Sequence, residues 1–444
     1  MIRAIRNGLL VGLIGLLVIA LAAPIVVGFY LEREHERLAD NINLPGMWRL
    51  APAGFDRGLF RSDLRLRLVP ADCVAPGCYG PVLDLTIHHG PVPFTAPATT
   101  GVRLQPAAGV ITGQLPVTVL LDARRLQPTP PPLTLYARAG LDGDTDLRAA
   151  LPALSLRVPD GDGAARLETD AFEATGAITG PDRALTLRAA LPRFSLVAER
   201  GGQIGFRGLV AEISAGRDPD GRPAGYRLQL EDLQLATPGG DGAAMEGLRL
   251  TAHAQAGGEN FDLRISRIAA RGEDYGPVLA EGRLTTTDGP TRLPELAARV
   301  TLAPAPWARL TRAGPALTLD RLLMGAPDGD IRLEGEIGAR PDTEPAQALQ
   351  GDMRLQLPVA TMRNITAAVM RHRHPDQPPP TPERVEGAIN EWLARGFIAY
   401  TEPDHAYVIH AALDGDDIRV NQRTLENWQV LIDELDMPEP VPAR

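Results

Sequence analysis

Three short patterns of histidine and aspartate have the residue types that bind metal ions or transfer protons. They are the pair His88-His89, the run RHRHPD with His372, His374 and Asp376, and the run DGDTD with Asp142, Asp144 and Asp146. Neighbouring residues of a strand point to opposite faces, so the two paired histidines do not easily share a ligand. RHRHPD lacks a fourth zinc ligand, and DGDTD lacks the distant bidentate acid of a calcium loop.

Structural roles are the favoured interpretation of all three patterns. His89 is expected to hydrogen-bond the backbone of the Gly-Pro turn that follows it, with catalysis, metal binding or a partner contact as the alternatives. RHRHPD is typical of a solvated helix C-terminus, and DGDTD is typical of a hairpin turn. The sequence contains no nucleophile elbow, zinc-binding helix, phosphate loop or dinucleotide fingerprint. We therefore predict that the protein is not an enzyme and uses no cofactor or metal, with a hydrolase as a remote alternative.

Cys73 and Cys78 are the two cysteines of the chain and lie in the run DCVAPGCYG. The Pro-Gly turn between them could bring their Cα atoms within bridging distance. A small-loop disulfide is the leading interpretation if this region lies in an oxidising compartment. Two thiols are too few for a structural zinc site, and this spacing is not the usual redox motif.

The charge of the chain excludes one class of partner. The formal net charge is −10 and the pI is near 5.4. A general nucleic-acid-binding protein needs a basic surface to displace counterions from phosphates, so no nucleic-acid partner is expected. At 444 residues the chain is longer than one core usually serves, which predicts two lobes or one elongated domain.

An uncharged apolar run from Gly8 to Tyr30 predicts one transmembrane helix. At 1.5 Å per residue this run rises roughly 34 Å, enough to cross a hydrocarbon core of about 30 Å. Arg3 and Arg6 precede it, so residues 1–7 are expected in the cytoplasm and the bulk of the chain in the periplasm. Ala20-Leu21-Ala22 also fits a signal-peptide cleavage site, which is the alternative.

The remaining chain predicts a mainly β protein with a few helices, in which repeated amphipathic strands form an extended antiparallel sheet. A membrane-proximal linker or helix is expected at 31–50 and a β-rich domain at 51–358, because alternating apolar and polar runs are separated by Gly, Pro and Asp turns. Helices and a closing hairpin are expected at 359–435, and a flexible tail at 436–444. The runs that best show the alternation are Leu64–Val69, Val82–Ile87, Val117–Leu121, Tyr226–Leu235, Phe261–Ile265, Ile331–Glu336 and Met353–Leu357.

One internal repeat stands out. Leu147–Leu156, LRAALPALSL, recurs forty positions later as Leu187–Leu196, LRAALPRFSL. The repeat predicts a sheet that is extended by similar hairpins, although coincidence in a sequence rich in Leu, Arg and Ala is the alternative. Pro152 and Pro192 occupy the same place in both copies, where a bend or bulge is expected.

The C-terminal region changes to helical periodicity. Val359–His372 and Pro382–Arg395 are predicted helices, and the second has Thr381 as its N-cap and Gly396 after its last residue. A hairpin within residues 396–422 is expected to close the domain.

Three elements occur in order after the predicted anchor: GFDRGLFRSDL at 54–64, DLTIHHGPVPF at 84–94, and GFIAYTEPDHAYVIHAALDGDDIRVNQ at 396–422. This order resembles the YdgA-like family of bacterial inner-membrane proteins, a domain of unknown function. The matching positions are Phe55, Arg57, Gly58, Phe60 and Ser62, then His89, Gly90 and Pro91, and finally Asn421. Gln422 stands where the family has glycine. The resemblance implies an inner-membrane location and a β-rich fold but no particular activity.

These observations predict a non-catalytic, membrane-anchored protein of the cell envelope. Its apolar sheet face is expected to bind lipid or another hydrophobic ligand. The alternative is an interaction or scaffold module in envelope assembly, for which a homo-oligomer is one form. Arg57 and Ser62 are expected in a buried turn and strand edge, with a contact to lipid headgroups or to another anchored chain as the alternative.

Overall fold

The computed structural model confirms a mainly β protein and describes residues 48–425 with gaps. The gaps are residues 59–60, 71–81, 90–106, 108, 117–127, 141, 161–162, 181–183, 200, 216–224, 238, 240–241, 256–257, 271–272, 287–313, 341–348, 374–377, 416 and 422. The chain divides into two compact units, Met1–Gly240 and Asp241–Arg444. The β-rich region expected at 51–358 contributes strands to both units.

Unit 1 contains twelve described strands. They are β1 Trp48–Arg57, β2 Arg61–Pro70, β3 Val82–His89, β4 Gly109–Leu115, β5 Leu133–Ala139, β6 Thr145–Leu151, β7 Leu154–Asp160, β8 Gly163–Thr169, β9 Phe172–Thr179, β10 Ala184–Ala198, β11 Gln203–Ala215 and β12 Gly225–Ala236. All pairings between them are antiparallel. The described residues of this unit form no helix.

The strands of unit 1 form a ladder in which β1 to β6 pair in sequence order, followed by β9, β10, β11 and β12. The hairpin β7–β8 lies beside the second half of β10, where β9 has ended. Strands β6 and β7 are therefore two halves of one long arm, and β8 and β9 are the halves of its partner arm.

The breaks within these long arms fall on one line across the ladder, which we call the crease. It passes through Pro152-Ala153, Asp170-Ala171, Pro192, Gly208 and Leu230-Glu231. The register is the same on both sides, since Leu151 aligns with Phe172 and Leu154 aligns with Thr169. Of the two repeat prolines, where a bend or bulge is expected, Pro152 lies at the break between β6 and β7, and Pro192 lies within β10 where that strand exchanges β9 for β8.

The crease shifts the alternation of side chains by one residue. Leu151 and Leu154 are three residues apart and would point to opposite faces of a regular strand. Leu151 nevertheless packs against the buried cluster of Leu154, Leu156 and Leu167, so all four lie on one face. Gly208 supplies the backbone conformation that the shift requires, with φ of 67° in the left-handed region that favours glycine. The apolar face thus continues across the crease.

The two copies of the repeat flank the same central strands. Leu147 of the first copy and Leu187 of the second both align with Gly176 of β9. Beyond the crease, Leu156 and Leu196 both align with Leu167 of β8. The copies therefore occupy equivalent positions two strands apart, which supports the interpretation of the repeat as a unit that extends the sheet.

Unit 2 contains twelve described strands and two helices. The strands are β13 Gly242–Gln255, β14 Gly258–Ile265, β15 Arg267–Ala270, β16 Glu273–Tyr275, β17 Val278–Thr286, β18 Pro315–Ala326, β19 Gly329–Ala339, β20 Leu349–Pro358, β21 Ala399–Thr401, β22 Ala406–Asp414, β23 Asp417–Val420 and β24 Arg423–Leu425. The helices are α1 Val359–Arg373 and α2 Pro382–Ala394. Both predicted helices are confirmed to within one residue at each end.

The ladder of unit 2 runs β13, β14, β17, β18, β19, β20, β22, β23 and β24. It has a similar break: β13 pairs with β15 through its first half and with β14 through its second. Gly247 lies where β13 changes its partner from β15 to β14, and its φ is 65°. A Cβ at this position would lie 2.3 Å from the hydroxyl oxygen of Ser266, the residue between β14 and β15. As at the crease of unit 1, consecutive apolar residues are here three positions apart instead of two, at Met245 and Leu248.

The two helices cover one end of the unit 2 sheet. Met362 and Met370 of α1 and Ile389 and Trp392 of α2 are buried against strand residues such as Leu357. The Thr381 hydroxyl accepts a hydrogen bond from the Arg384 backbone N–H, as expected of the N-cap. This cluster is the largest apolar core among the described residues of the unit.

Several predicted elements lie outside the described residues: the anchor at 8–30, residues 31–47 of the membrane-proximal linker, the strand Val117–Leu121 and residues 426–435 of the C-terminal region. Residues 48–50, the end of the predicted linker, are the start of β1. The other listed strands are confirmed within β2, β3, β12, β14, β19 and β20. Neither α1 nor α2 combines the length and apolar character that a membrane crossing requires, and these are the helices of the part of the chain that the structure describes.

We expect Gly247→Ala to lower the free energy of unfolding by about 1–3 kcal/mol. The substitution forces alanine into a left-handed conformation, and its Cβ would lie 2.3 Å from Ser266 Oγ. Gly387→Ala is the matched control in the same unit. A methyl group at this position of α2 meets nothing within 4 Å, so the change should stabilise by about 0.5–1 kcal/mol. Urea denaturation of both variants tests the opposite signs, and equal midpoints would contradict them.

Candidate hydrophobic-ligand surface

One face of the unit 1 ladder carries three rows of residues that run across ten strands, from β1 to β12 without β7 and β8. Residues directly opposite each other in antiparallel strands share a face, so the register defines each row. Row 1 is Pro52, Leu66, Leu83, Leu115, Leu133, Leu151, Phe172, Leu191, Leu209 and Leu230, where the steps from β3 to β4, β5 to β6, β9 to β10 and β11 to β12 extend the register by one residue beyond the paired positions. Row 2 is Phe55, Leu64, Leu85, Gly113, Leu135, Ala149, Ala174, Ala189, Ala211 and Leu228. Row 3 is Arg57, Ser62, Ile87, Ile111, Ala137, Leu147, Gly176, Leu187, Ile213 and Tyr226.

The middle of row 2 is a line of four alanines, Ala149, Ala174, Ala189 and Ala211, on β6, β9, β10 and β11. Larger residues flank the line on both sides, except on β9, where row 3 has Gly176. Row 1 contributes Leu151, Phe172, Leu191 and Leu209, and row 3 contributes Leu147, Leu187 and Ile213. The difference in side-chain size makes a furrow with an alanine floor, which we call the alanine furrow.

The floor of the alanine furrow is about as long as the hydrocarbon chain of one lipid. Its floor crosses three spacings between strands, about 14 Å. One leaflet of a bilayer contributes half of a core of about 30 Å, or roughly 15 Å. Leu135 of β5 and Leu228 of β12 close the floor at its two ends, since they align with Ala149 and Ala211. An unbranched acyl chain laid across the strands fits this floor.

The apolar face is not equally covered along its length. At the β2–β4 end, Leu64, Leu66 and Ile87 are buried in a core with Phe55 and Leu135 packed against it. Around the alanine furrow, Leu187 and Leu209 are half-buried. Beyond the crease, Ile204 and Leu235 lie opposite each other and are 36% and 43% exposed. On the same face Ala174 of the furrow floor and Tyr226 of β12 are buried.

The opposite face of the same strands is polar. Glu212 of β11 accepts from Arg188 of β10 at 3.1 Å and from Arg227 of β12 at 3.5 Å. Arg207 donates two hydrogen bonds to Asp232, whose side chain is largely buried. The sheet is therefore amphipathic, and solvent is the natural neighbour of this second face.

The structure brings together the two N-terminal motif elements. Gly58 forms the turn between β1 and β2, where its N–H donates to the carbonyl of Arg61 and a Cβ would lie 2.5 Å from that oxygen. Ser62 is fully buried, and its neighbours are Arg57 on β1 and Ile87 on β3. Histidine 89 ends β3, so its backbone lies at the same end of the sheet as this turn.

Asp63 supports this hairpin from the polar face. Its carboxylate accepts hydrogen bonds from Arg61 Nε at 3.0 Å and from Thr86 Oγ1 at 2.8 Å. The Arg61 guanidinium, then the Thr86 hydroxyl and the nearby charges of Arg61 and His88, lower the pKa of Asp63, and partial burial opposes them. The lowered pKa extends the pH range in which Asp63 is ionised and paired with Arg61 further into acid.

Other predicted site residues lie outside what the structure describes. This holds for Cys73, Cys78, Phe60, Gly90, Pro91, His374 and Asp376, and for the side chains of His89 and His372. The disulfide and the role of His89 remain predictions.

The DGDTD run forms the hairpin turn between β5 and β6, as expected. Asp142 Oδ1 accepts from the Asp144 N–H at 3.2 Å, and Asp144 Oδ1 accepts from the Gly180 N–H at 3.1 Å. Asp146 pairs with Arg138 at 3.0 Å. Within the described ranges no three His, Cys, Asp or Glu side chains converge as a metal site would require.

The third motif element, Asn421, lies in unit 2 and fixes the closing hairpin. Its φ of 49° is in the left-handed region, which asparagine tolerates better than most residues. Its side-chain oxygen accepts from the His410 N–H at 2.9 Å, and its Nδ2 donates to the carbonyls of Phe397 at 2.6 Å and Val408 at 3.4 Å. Asn421 therefore joins β22 to the loop after α2, which is a structural role.

A family model described as a bacterial protein of unknown function (DUF945) matches residues 7–291. The match covers more than half of the chain. The chain belongs to this family. The DUF945 match includes the β1–β2 hairpin, the alanine furrow and the predicted anchor, and it ends before α1, α2 and Asn421. The match confirms the expectation that the chain belongs to a bacterial family of unknown function. No characterised protein sequence and no solved structure matches the chain.

We expect Asn421→Ala to destabilise unit 2 by about 2–4 kcal/mol. It removes the side-chain hydrogen bonds, leaves buried backbone groups unpaired and places alanine in a left-handed conformation. Asn364→Ala, on the exposed surface of α1, is the matched control and should change stability by less than about 0.5 kcal/mol. Thermal unfolding measures both. Equal melting temperatures would show that the Asn421 contacts are dispensable.

Proposed function

We propose that this chain is a non-catalytic, membrane-anchored envelope protein that binds lipid or another hydrophobic ligand on the apolar face of unit 1. The single observation that carries the proposal is the alanine furrow, an apolar line of one-chain length between walls of larger residues. The apolar run at 8–30 supports an anchor in the bacterial inner membrane, with the bulk of the chain in the periplasm.

The energetics of the apolar face favour a ligand of this kind. Each methylene group that leaves water for an apolar site gains about 0.8 kcal/mol. A chain of about ten methylene groups in the furrow would therefore gain roughly 8 kcal/mol before the cost of losing its freedom. Soluble proteins seldom expose a continuous apolar surface that has no binding role. Hydrocarbon binding would remove both the ligand and the furrow from water.

An interaction module is the second candidate, and one observation favours it. Ile365 and Val369 are one helical turn apart on α1 and are 42% and 36% exposed. This pair could form part of a contact with another envelope protein or a second copy of the chain. Ile365→Ser should then abolish a reproducible protein cross-link in cells, and the bound lipid should not change.

We expect Ala189→Phe to reduce the lipid bound to the purified full-length chain by at least about fivefold, because the ring would fill the alanine furrow. Ala190→Phe is the matched control. It places the same ring on the next residue of β10, which faces the polar side of the sheet and aligns with Val210. Native mass spectrometry of the detergent-solubilised proteins measures bound lipid.

Three outcomes of this comparison are informative. Loss of lipid from Ala189→Phe alone supports the furrow. Equal loss from both variants, with lowered melting temperatures, would attribute the effect to misfolding. A lipid-free wild-type chain would contradict the proposal, and a lipid-free dimer would favour the interaction module.

A further inference from the structure

A recess of about 520 Å³ opens on the sheet of unit 2, on the face that points away from α1 and α2. Ile331 of β19 is buried in the core beneath the two helices, so its neighbour Arg332 points to the opposite face. Leu355 of β20 packs against the same core, which places Arg354 and Gln356 on the face of Arg332. The polar side chains that line the recess are Asp320, Arg321, Arg332, Glu334, Arg354 and Gln356.

A β-bulge in β18 shapes the recess. Asp320 and Arg321 together stand opposite Glu334 of β19, so β18 carries one extra residue there. The register of β18 against β17 shifts at the same place. Next to Glu334, Gly335 has a φ of 138°, and a Cβ at this position would lie 2.1 Å from the carbonyl oxygen of Asp352. Bulges redirect side chains and are frequent beside active sites, so this local geometry suits a binding site.

Two arginines of the recess are available to a ligand. Arg321 and Arg332 are exposed, and within the part of the chain that the structure describes neither forms a hydrogen bond or an ion pair. Leu323 lies between them, since it aligns with Arg332 and is two residues from Arg321. The third arginine, Arg354, contacts Glu334 at 3.6 Å. Two guanidinium groups on neighbouring strands therefore face the same space without a protein partner.

We infer that this recess binds the phosphate group of a small ester that also carries hydroxyl groups, such as glycerol 3-phosphate. Arg321 and Arg332 pair with the phosphate, because a guanidinium matches two phosphate oxygens in a planar fork. Asp320 and Gln356 offer oxygen acceptors, which suit the hydroxyl groups of the ligand. The site lies in unit 2 and does not depend on the lipid surface proposed for unit 1.

The charge of the lining limits the size of the anion. Three arginines and two carboxylates leave a net charge of +1. A single phosphate balances this charge better than a polyphosphate does, since further phosphates would approach Asp320 and Glu334. The free ester and the same head group on a lipid share this chemistry, and the experiment separates them.

Isothermal titration calorimetry of the full-length chain in neutral detergent with glycerol 3-phosphate tests the inference. Arg332→Gln should weaken binding by about tenfold or more, since charge-assisted hydrogen bonds are the stronger ones. Arg419→Gln is the matched control. Arg419 is exposed on the same face of the sheet, but on β23, three strands from β19. Its loss should change binding less than about twofold.

Asp320→Ala separates the ester from inorganic phosphate. The substitution removes an acceptor for the ligand hydroxyls and a negative charge beside the phosphate. The ratio of glycerol 3-phosphate affinity to inorganic phosphate affinity should therefore fall by about fivefold. An unchanged melting temperature would show that the exposed bulge still folds.

Four results would overturn the inference or part of it. Absence of binding by both ligands would overturn it and leave the lipid surface of unit 1 untouched. Equal losses from Arg332→Gln and Arg419→Gln would reduce the site to general charge attraction. An unchanged affinity ratio in Asp320→Ala would limit the ligand to inorganic phosphate. Phosphatidylglycerol in mixed micelles that binds more tightly than the free ester, with the same sensitivity to Arg332→Gln, would assign the phosphate to a lipid head group.

Discussion

The alignment of apolar residues across strands is the constraint on which unit 1 depends. A strand exposes alternate residues on each face, so one extra residue in a single strand would turn its leucines towards water. At the crease this shift occurs in neighbouring arms at the same level, and the register survives it. Leu151 and Leu154 therefore share a face although they are three residues apart. The long arms can bend there without losing their common apolar surface.

The two units differ in what packs against the apolar side of their sheets. In unit 2, α1 and α2 bury their apolar sides against the β20–β22 end of the sheet. In unit 1 the described residues provide no helix, and the residues around the alanine furrow remain half-buried. Unit 1 also has packed apolar clusters, at the β2–β4 end and beyond the crease, and its partly exposed apolar residues lie between and beside them.

The sequence predicted the mainly β fold, six of the described strands and both helices, because periods of 2 and 3.6 are local properties. It also found the repeat, whose first proline lies at the break between β6 and β7. It did not predict the alanine furrow, whose floor comes from four strands that only the register aligns. One signal was present: each repeat copy has the pattern Leu-x-Ala-x-Leu, and the two central alanines are Ala149 and Ala189. Ser62 was expected in a buried turn and strand edge and is fully buried, whereas Arg57, expected in the same place, is exposed because it ends β1 beside the turn.

The most direct test of the central claim is site-specific photo-cross-linking of the full-length chain in cells. A photoreactive amino acid at Leu187 would face the furrow, and the same group at Arg188, the next residue of β10, would face the polar side. The account predicts a lipid adduct at position 187 and none at 188, identified by mass spectrometry. Adducts of equal yield at both positions, or a protein adduct at 187 in place of lipid, would contradict it.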